Sequence, residues 1–243
     1  MKRGAKMPTI NVLPKNVAEL IAAGEVVERP SSVIKELCEN SIDAGADKIT
    51  VEIKNGGVTF MRITDNGCGI DMEDVPTAFL RHATSKIKNG SDLDQIATLG
   101  FRGEALAAIS SVSRMEMLTR TADNEEGTHF VIEGGEQKLC EVAGCPKGTT
   151  IIVRDIFYNT PARMKFLKKD VSESNAVAAV IDRMALSHPE IAFRFIRDGK
   201  QTLATSGKGG IEAAVYAVYG REFSAGLIPV DYQAGGMTLK GLI

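Results

Sequence analysis

Apolar and polar positions separate most cleanly between Ser32 and Ala44 (SVIKELCENSIDA). At about 100° per residue, a helix through this run gathers Ile34, Leu37, Cys38 and Ser41 on one side. The other side carries Glu36, with Asn40 roughly 40° away and Asp43 roughly 20° away in the opposite sense. Pro30 suits the helix start and Gly45 its stop. A solvated face is the ordinary fate of such polar residues, so this stripe alone leaves its role open.

The rest of the chain divides by the same reasoning. Asn16 to Ala23 reads as a short helix ended by Gly24. Ile49 to Lys54 alternates like a strand, Asn55-Gly56 favours a type I′ turn, and Val58 to Thr64 returns. The returning strand runs into Asp65-Asn66-Gly67-Cys68-Gly69-Ile70. Asp71 can cap a helix to about Arg81, and a long loop follows from His82 to Leu99. Gly100 to Leu106 enters a helix that reaches about Ser110. Strand patterns cover Ser113 to Thr121, Thr128 to Glu133 and Thr149 to Ile156. Phe157 to Arg163 is a loop leading into a short basic helix. Ser172 to Ser187 is a helix stopped by Pro189, and Ile191 to Arg197 forms a hairpin with Gln201 to Thr205 around Asp198-Gly199. Ser206 to Gly210 is linker-like, which sets a domain boundary between residues 207 and 208. A helix from Ile211 to Gly220 and a strand from Met237 to Ile243 follow. The fold class is α+β, with helices on one face of a mixed or antiparallel sheet.

A chain of 243 residues with 44% hydrophobic and 25% charged content is ordinary for a globular protein. Its net charge of −2 gives no global attraction to nucleic acid, so any such contact needs a local basic patch. Cys38, Cys68, Cys140 and Cys145 form no CxxC pair and lack histidines at metal spacing, which argues against zinc and for reduced, structural thiols. No apolar run is long enough to span a bilayer, and the basic start MKRGAKMPT lacks the apolar stretch of a signal peptide. Met1 and Met7 are both candidate starts.

Three segments carry candidate chemistry. A P-loop is excluded by the absence of GxxxxGK[ST], and the third glycine of a dinucleotide fingerprint would fall at Met72. Asp65, at a strand end, accepts hydrogen bonds only, which suits the exocyclic amino group of adenine. Gly67 and Gly69 allow a tight turn close to a flat ring, although a turn without a ligand explains them equally well. Gly100 to Leu106, with Arg102 and Lys86, offers backbone N–H groups and positive charge to phosphate oxygens, or is a plain helix entry. Lys147-Gly148-Thr149-Thr150 opens a strand whose hydroxyls can reach the acidic loop.

Taken together, KEL before ENSIDAGA, then DNGCGI, GFRGEAL and GTTIIVRDIFYNTPAR resemble the GHKL ATPase superfamily. GFRGEAL, FYNTPAR and IAAGEVVERP (Ile21 to Pro30) are similar to its DNA mismatch-repair branch, from about Met7 to the end of the chain. The resemblance implies a Bergerat-type α/β sandwich with a mixed sheet over residues 1–207. It further implies the start of a transducer domain, ribosomal-protein S5-like, over residues 208–243. It implies ATP binding and hydrolysis with Mg²⁺: Glu36 as the base for the attacking water, Asn40 on the metal, and Asp65 on adenine with Gly67, Gly69 and Thr150. Thr84, Ser85 and Lys86, with Gly100, Phe101, Arg102, Gly103 and Leu106, would form a lid over the phosphates. Asp43 is then supporting or structural. Relatives place a lysine from a second-domain loop on the γ-phosphate, and this chain ends before such a loop, so hydrolysis is expected to be weak. Relatives also carry a C-terminal dimerisation region that lies outside these residues.

The densest basic run is Arg154, Arg163, Lys165, Lys168 and Lys169, which by charge alone is a solvated face. The resemblance implies sequence-independent DNA binding there, with strong salt dependence. It also implies ATP-dependent self-association, partnership with the mismatch-recognition protein MutS, no membrane contact, and a bacterial cytoplasmic, nucleoid-associated location. A nucleotide-switched clamp is the expected mode of action. The rival readings are another GHKL ATPase subunit, against which GFRGEAL and FYNTPAR argue, and a nucleotide-independent DNA- or protein-binding scaffold.

Overall fold

The computed structural model describes residues 11, 12, 14–86, 99 and 103–243. Eight strands form one sheet in the order β5-β4-β3-β6-β2-β1-β7-β8. In chain order these are β1 (Lys48–Lys54), β2 (Phe60–Asp65), β3 (Arg114–Arg120), β4 (Gly127–Glu133), β5 (Glu136–Ala143), β6 (Gly148–Arg154), β7 (Ala192–Arg197) and β8 (Lys200–Ala204). The β1/β7 pair is parallel, with Lys48 opposite Ala192, and the neighbouring β1/β2 and β2/β6 pairs are antiparallel. The sheet is therefore mixed. A separate two-stranded sheet pairs β9 (Pro229–Ala234) with β10 (Met237–Leu242).

Helices cover one face. They are α1 (Lys15–Val26), α2 (Pro30–Asp43), α3 (Val75–Ala78), α4 (Ala105–Ser111), α5 (Pro161–Met164), α6 (Asp170–Ser187) and α7 (Gly210–Ser224). The core lies between them and alternate residues of β1, β2, β3, β4, β6 and β7: Ile49, Val51, Ile53, Met61, Ile63, Met115, Met117, Phe130, Ile151, Val153, Phe193 and Phe195. Phe79 stacks on Phe130 with ring centroids 4.8 Å apart, which fastens the end of α3 to the sheet. The other sheet face is laced by polar pairs, including Arg154 to Glu116 at 2.8 Å and His129 to Glu116 at 3.1 Å.

Several elements differ from the sequence expectation. α1 does not stop at Gly24 but runs on to Val26. Gly24 is where the Arg163 guanidinium enters, since a β-carbon there would lie 2.2 Å from Nη2. The helix expected from Asp71 to Arg81 shrinks to Val75–Ala78. The Asp71 carboxylate is engaged elsewhere, accepting the Asn124 amide at 2.8 Å, and Pro76, which has no N–H, lies in the first turn of α3. β5 was not foreseen, because this edge strand is mostly exposed and shows no alternation. β9 was missed for the same reason. Asn55 and Gly56 have the positive φ values expected, 50° and 69°, but the connection is not a two-residue type I′ turn: residues 55–57 form a 3-10 turn, Lys54 pairs with Phe60, and the return strand begins there rather than at Val58.

Candidate active site

Helix α2 turns its Ile34, Leu37, Cys38 and Ser41 side into the core, where all four are buried. Glu36, Asn40 and Asp43 are left on the facing stripe, each partly exposed. Glu36 is 31% exposed in its side chain and lies 3.7 Å from the Lys35 ammonium. Lys35 is committed more closely to Glu39, at 2.8 Å.

Ser41 connects this helix to the end of β2, because its hydroxyl donates to Asp65 Oδ2 at 2.8 Å. Asp65 Oδ1 accepts the backbone N–H groups of Gly67 at 2.9 Å and Thr149 at 3.2 Å. Burial pushes the Asp65 carboxyl above its ordinary range, and the hydrogen bonds from Gly67, Ser41 and Thr149 pull against that shift. A carboxylate has about four acceptor positions. Two are filled on Oδ1 and one on Oδ2, so among the described residues one position on Oδ2 has no donor.

The threonine in this corner is Thr149, not the expected Thr150. Successive residues of β6 point to opposite faces of the sheet. Ile151 and Val153 face the helices, as does Thr149, whose hydroxyl is 3.1 Å from that of the fully buried Thr119. Thr150 lies on the opposite face, where its hydroxyl meets Thr64 at 3.1 Å. Thr119 and Ser41 were missed as parts of the site. Thr119 Oγ accepts the Ile70 N–H at 2.9 Å and so fixes the chain just past the glycines.

The glycines do their work against protein backbone. A β-carbon at Gly67 would lie 2.8 Å from the Ala44 carbonyl, and one at Gly69, where φ is 76°, would lie 2.1 Å from the Arg120 carbonyl. Asn66 is structural: its carboxamide oxygen accepts the N–H groups of Asp47 and Lys48 at 3.1 and 3.0 Å.

Lys86 reaches back to α2. Its ammonium donates to Asn40 Oδ1 at 3.1 Å and to Asp43 Oδ2 at 2.5 Å, and the Leu99 N–H donates to Asp43 Oδ1 at 3.0 Å. Asp43 therefore holds both Lys86 and Leu99. The Thr84 hydroxyl accepts the Lys86 N–H at 3.1 Å, which shapes the Thr84-Ser85-Lys86 turn. Gly103 packs on Ala83, where a β-carbon would lie 2.5 Å from the carbonyl. Leu106 packs its side chain against the core. Gly100, Phe101 and Arg102 lie outside the described residues. Among the described residues no group of three or more His, Cys, Asp and Glu forms a metal cluster.

The basic run does not form one surface. Arg154 is paired with Glu116 and lies 5.9 Å from the Phe60 ring. Arg163 Nη2 donates to the Leu20 carbonyl at 2.7 Å, tying α5 to α1. Both side chains thus spend hydrogen bonds inside the protein, and Arg154 keeps 44% of its side chain exposed. Lys165, Lys168 and Lys169 are exposed.

Residues 28–141 match the family described as histidine kinase-, DNA gyrase B- and HSP90-like ATPases. The chain is 50% identical over 237 residues to the DNA mismatch repair protein MutL of Agathobacter rectalis, covering 98% of this chain and 37% of that protein. It is 47% identical over 234 residues to MutL of Caldanaerobacter subterraneus subsp. tengcongensis, covering 96% and 40%. The chain thus spans about two fifths of the length of these relatives. The Aquifex aeolicus MutL ATPase domain complexed with ADP superposes with a TM-score of 0.67 at 35% identity, covering 80% of this chain and 70% of that one. No helix among the described residues is long and apolar enough to cross a membrane. Sequence and fold agree over most of these residues: the chain belongs to the MutL family of DNA mismatch-repair proteins.

Proposed function

We propose that this chain is the ATP-binding and hydrolysing N-terminal part of a mismatch-repair protein, a nucleotide-switched clamp. The Ser41–Asp65 hydrogen bond carries the reading, because it joins the carboxylate suited to adenine to the helix bearing Glu36 and Asn40. The ADP held by the Aquifex aeolicus relative supports it.

Adenine's amino group would take the remaining acceptor position on Asp65 Oδ2. Glu36, on the open side of α2, would orient the attacking water and accept its proton. The corner at Asn40 suits a cation, since the Lys86 ammonium already rests on Asn40 Oδ1 and Asp43 Oδ2. Mg²⁺ held by Asn40 would neutralise phosphate charge, in keeping with its preference for few protein oxygens plus substrate phosphates. Thr84, Ser85 and Lys86 would face the phosphates.

Residues 1–207 would be the ATPase domain and residues 208–243 the start of the transducer domain. Support comes from the separate β9–β10 sheet and from the positive φ values at Gly207, Gly209 and Gly210. Lys165, Lys168 and Lys169 would contact DNA phosphates without reading sequence. Self-association on ATP binding and coupling to MutS follow from the family reading.

Calorimetric titration with Mg²⁺ and a non-hydrolysable ATP analogue tests the core of this. One binding site is expected, and it should persist in Glu36→Ala while turnover in the longer protein disappears. Absence of binding heat in a folded sample would refute the nucleotide site.

A further inference from the structure

The basic segment and the helix bearing Glu36 meet at one buried carboxylate. Glu173, in the first turn of α6, is 1% exposed. Its Oε2 accepts a forked pair of hydrogen bonds from Arg29, at 3.0 Å from Nε and 2.9 Å from Nη2. Its Oε1 accepts the backbone N–H of Lys168 at 2.9 Å. Arg29 is the residue immediately before α2, and Lys168 lies within the exposed lysine run.

The junction has little slack. A β-carbon at Gly57 would lie 2.9 Å from Pro30, the first residue of α2, and one at Gly56 would lie 3.0 Å from both Glu173 and the Asp170 carbonyl. A shift of residues 165–169 therefore acts on the Lys168–Glu173 hydrogen bond, and through Glu173 on Arg29 at the start of α2. Withdrawing either partner leaves the buried Glu173 carboxylate short of a donor, so a displacement of the lysine segment loads the Arg29 fork at the start of α2.

We propose that Glu173 is a positioning residue that couples polyanion binding at Lys165, Lys168 and Lys169 to the seating of Glu36 and Asn40 on α2. This rests on the reading of those lysines as phosphate contacts. Such coupling is reciprocal: nucleotide must change DNA affinity by the factor by which DNA changes nucleotide affinity.

The test measures binding of a fluorescent duplex oligonucleotide by anisotropy, with and without a saturating non-hydrolysable ATP analogue and Mg²⁺, at several salt concentrations. In the parent chain the two dissociation constants should differ by about fivefold or more. In Glu173→Gln the ratio should fall below about twofold, while the analogue's affinity without DNA stays within about twofold of the parent. A merely structural role would lower the thermal midpoint and both affinities together and leave the ratio in place. A parent-like ratio in Glu173→Gln, or a ratio of one in the parent, overturns the proposal. Salt-sensitive binding with no coupling refutes the link alone. Binding that is absent or indifferent to salt refutes the lysine reading, and the proposal with it. If Glu173→Gln does not fold, Arg29→Lys, which keeps the charge and loses the fork, is held to the same criterion.

Discussion

Asp65→Asn should separate folding from nucleotide binding. The asparagine Oδ1 can keep the N–H groups of Gly67 and Thr149, now 2.9 and 3.2 Å from Asp65 Oδ1. Its Nδ2 then faces the Ser41 hydroxyl, 2.8 Å from the native Oδ2. That hydroxyl already lies 3.1 Å from the Leu37 carbonyl, so it can turn to donate there and accept from the new amide. The internal network survives, and the cost of burying a charge is removed. On the proposed reading, what is lost is the acceptor position on Oδ2 that adenine would take, replaced by an N–H that would oppose the amino group. A hydrogen bond to a charged group contributes about 1.5–3 kcal/mol, so affinity should fall by about 10- to 150-fold, and further if the two donors clash. Calorimetry with a non-hydrolysable ATP analogue gives the affinity, and urea unfolding gives the stability, expected within about 1 kcal/mol of the parent. Binding within about threefold of the parent would refute the role given to Asp65. Joint loss of binding and fold would refute the reorganised network.

Four further outcomes are expected. Because burial raises the native Asp65 carboxyl above its ordinary value, the native state binds that proton more tightly than the unfolded chain does. Stability therefore falls as pH rises between the two values, and the advantage of Asp65→Asn should grow through that window in urea midpoints taken at a series of pH values; a shrinking advantage contradicts this. Gly24→Ala would place a methyl group 2.2 Å from the Arg163 guanidinium, which should swing off the Leu20 carbonyl; alanine's helix propensity offsets part of that loss, so urea unfolding should show a net change within about 1 kcal/mol. Cys38 is fully buried, with burial pushing its thiol up to about 12, so alkylation near neutral pH should modify the exposed Cys68 and spare Cys38 until denaturant is added. Replacing Lys165, Lys168 and Lys169 with alanine should flatten the log–log salt dependence of duplex binding by about 0.9 per lysine lost, read from anisotropy.

The sequence made α2 readable because its two faces differ in kind, and it placed a reversal at Asn55-Gly56 because few residues accept positive φ, although the loop there is five residues long rather than two. It was silent where an element lacks a wet-and-dry contrast. β5 is mostly exposed along its length, so no alternation announces it. The choice between Thr149 and Thr150 depends on pairing parity. Thr149 lies opposite Thr119 and Asp65, and Thr150 opposite Leu118 and Thr64, which no local pattern reveals. Arg163 looked like part of a basic surface because charge was counted along the chain. Its actual neighbour, Gly24 in α1, is remote in sequence, and the gap that receives the guanidinium exists only once the two segments meet.

The parallel seam between β1 and β7 bears on how such a chain is made. Lys48 finds its partner only when Ala192 has emerged from the ribosome, long after β2 has closed the other side. Until then one flank of β1 presents bare amide and carbonyl groups, an invitation to strands of neighbouring nascent chains. Fragments that terminate before Ala192 should accordingly precipitate during synthesis, whereas those that include β7 should accumulate as dispersed protein.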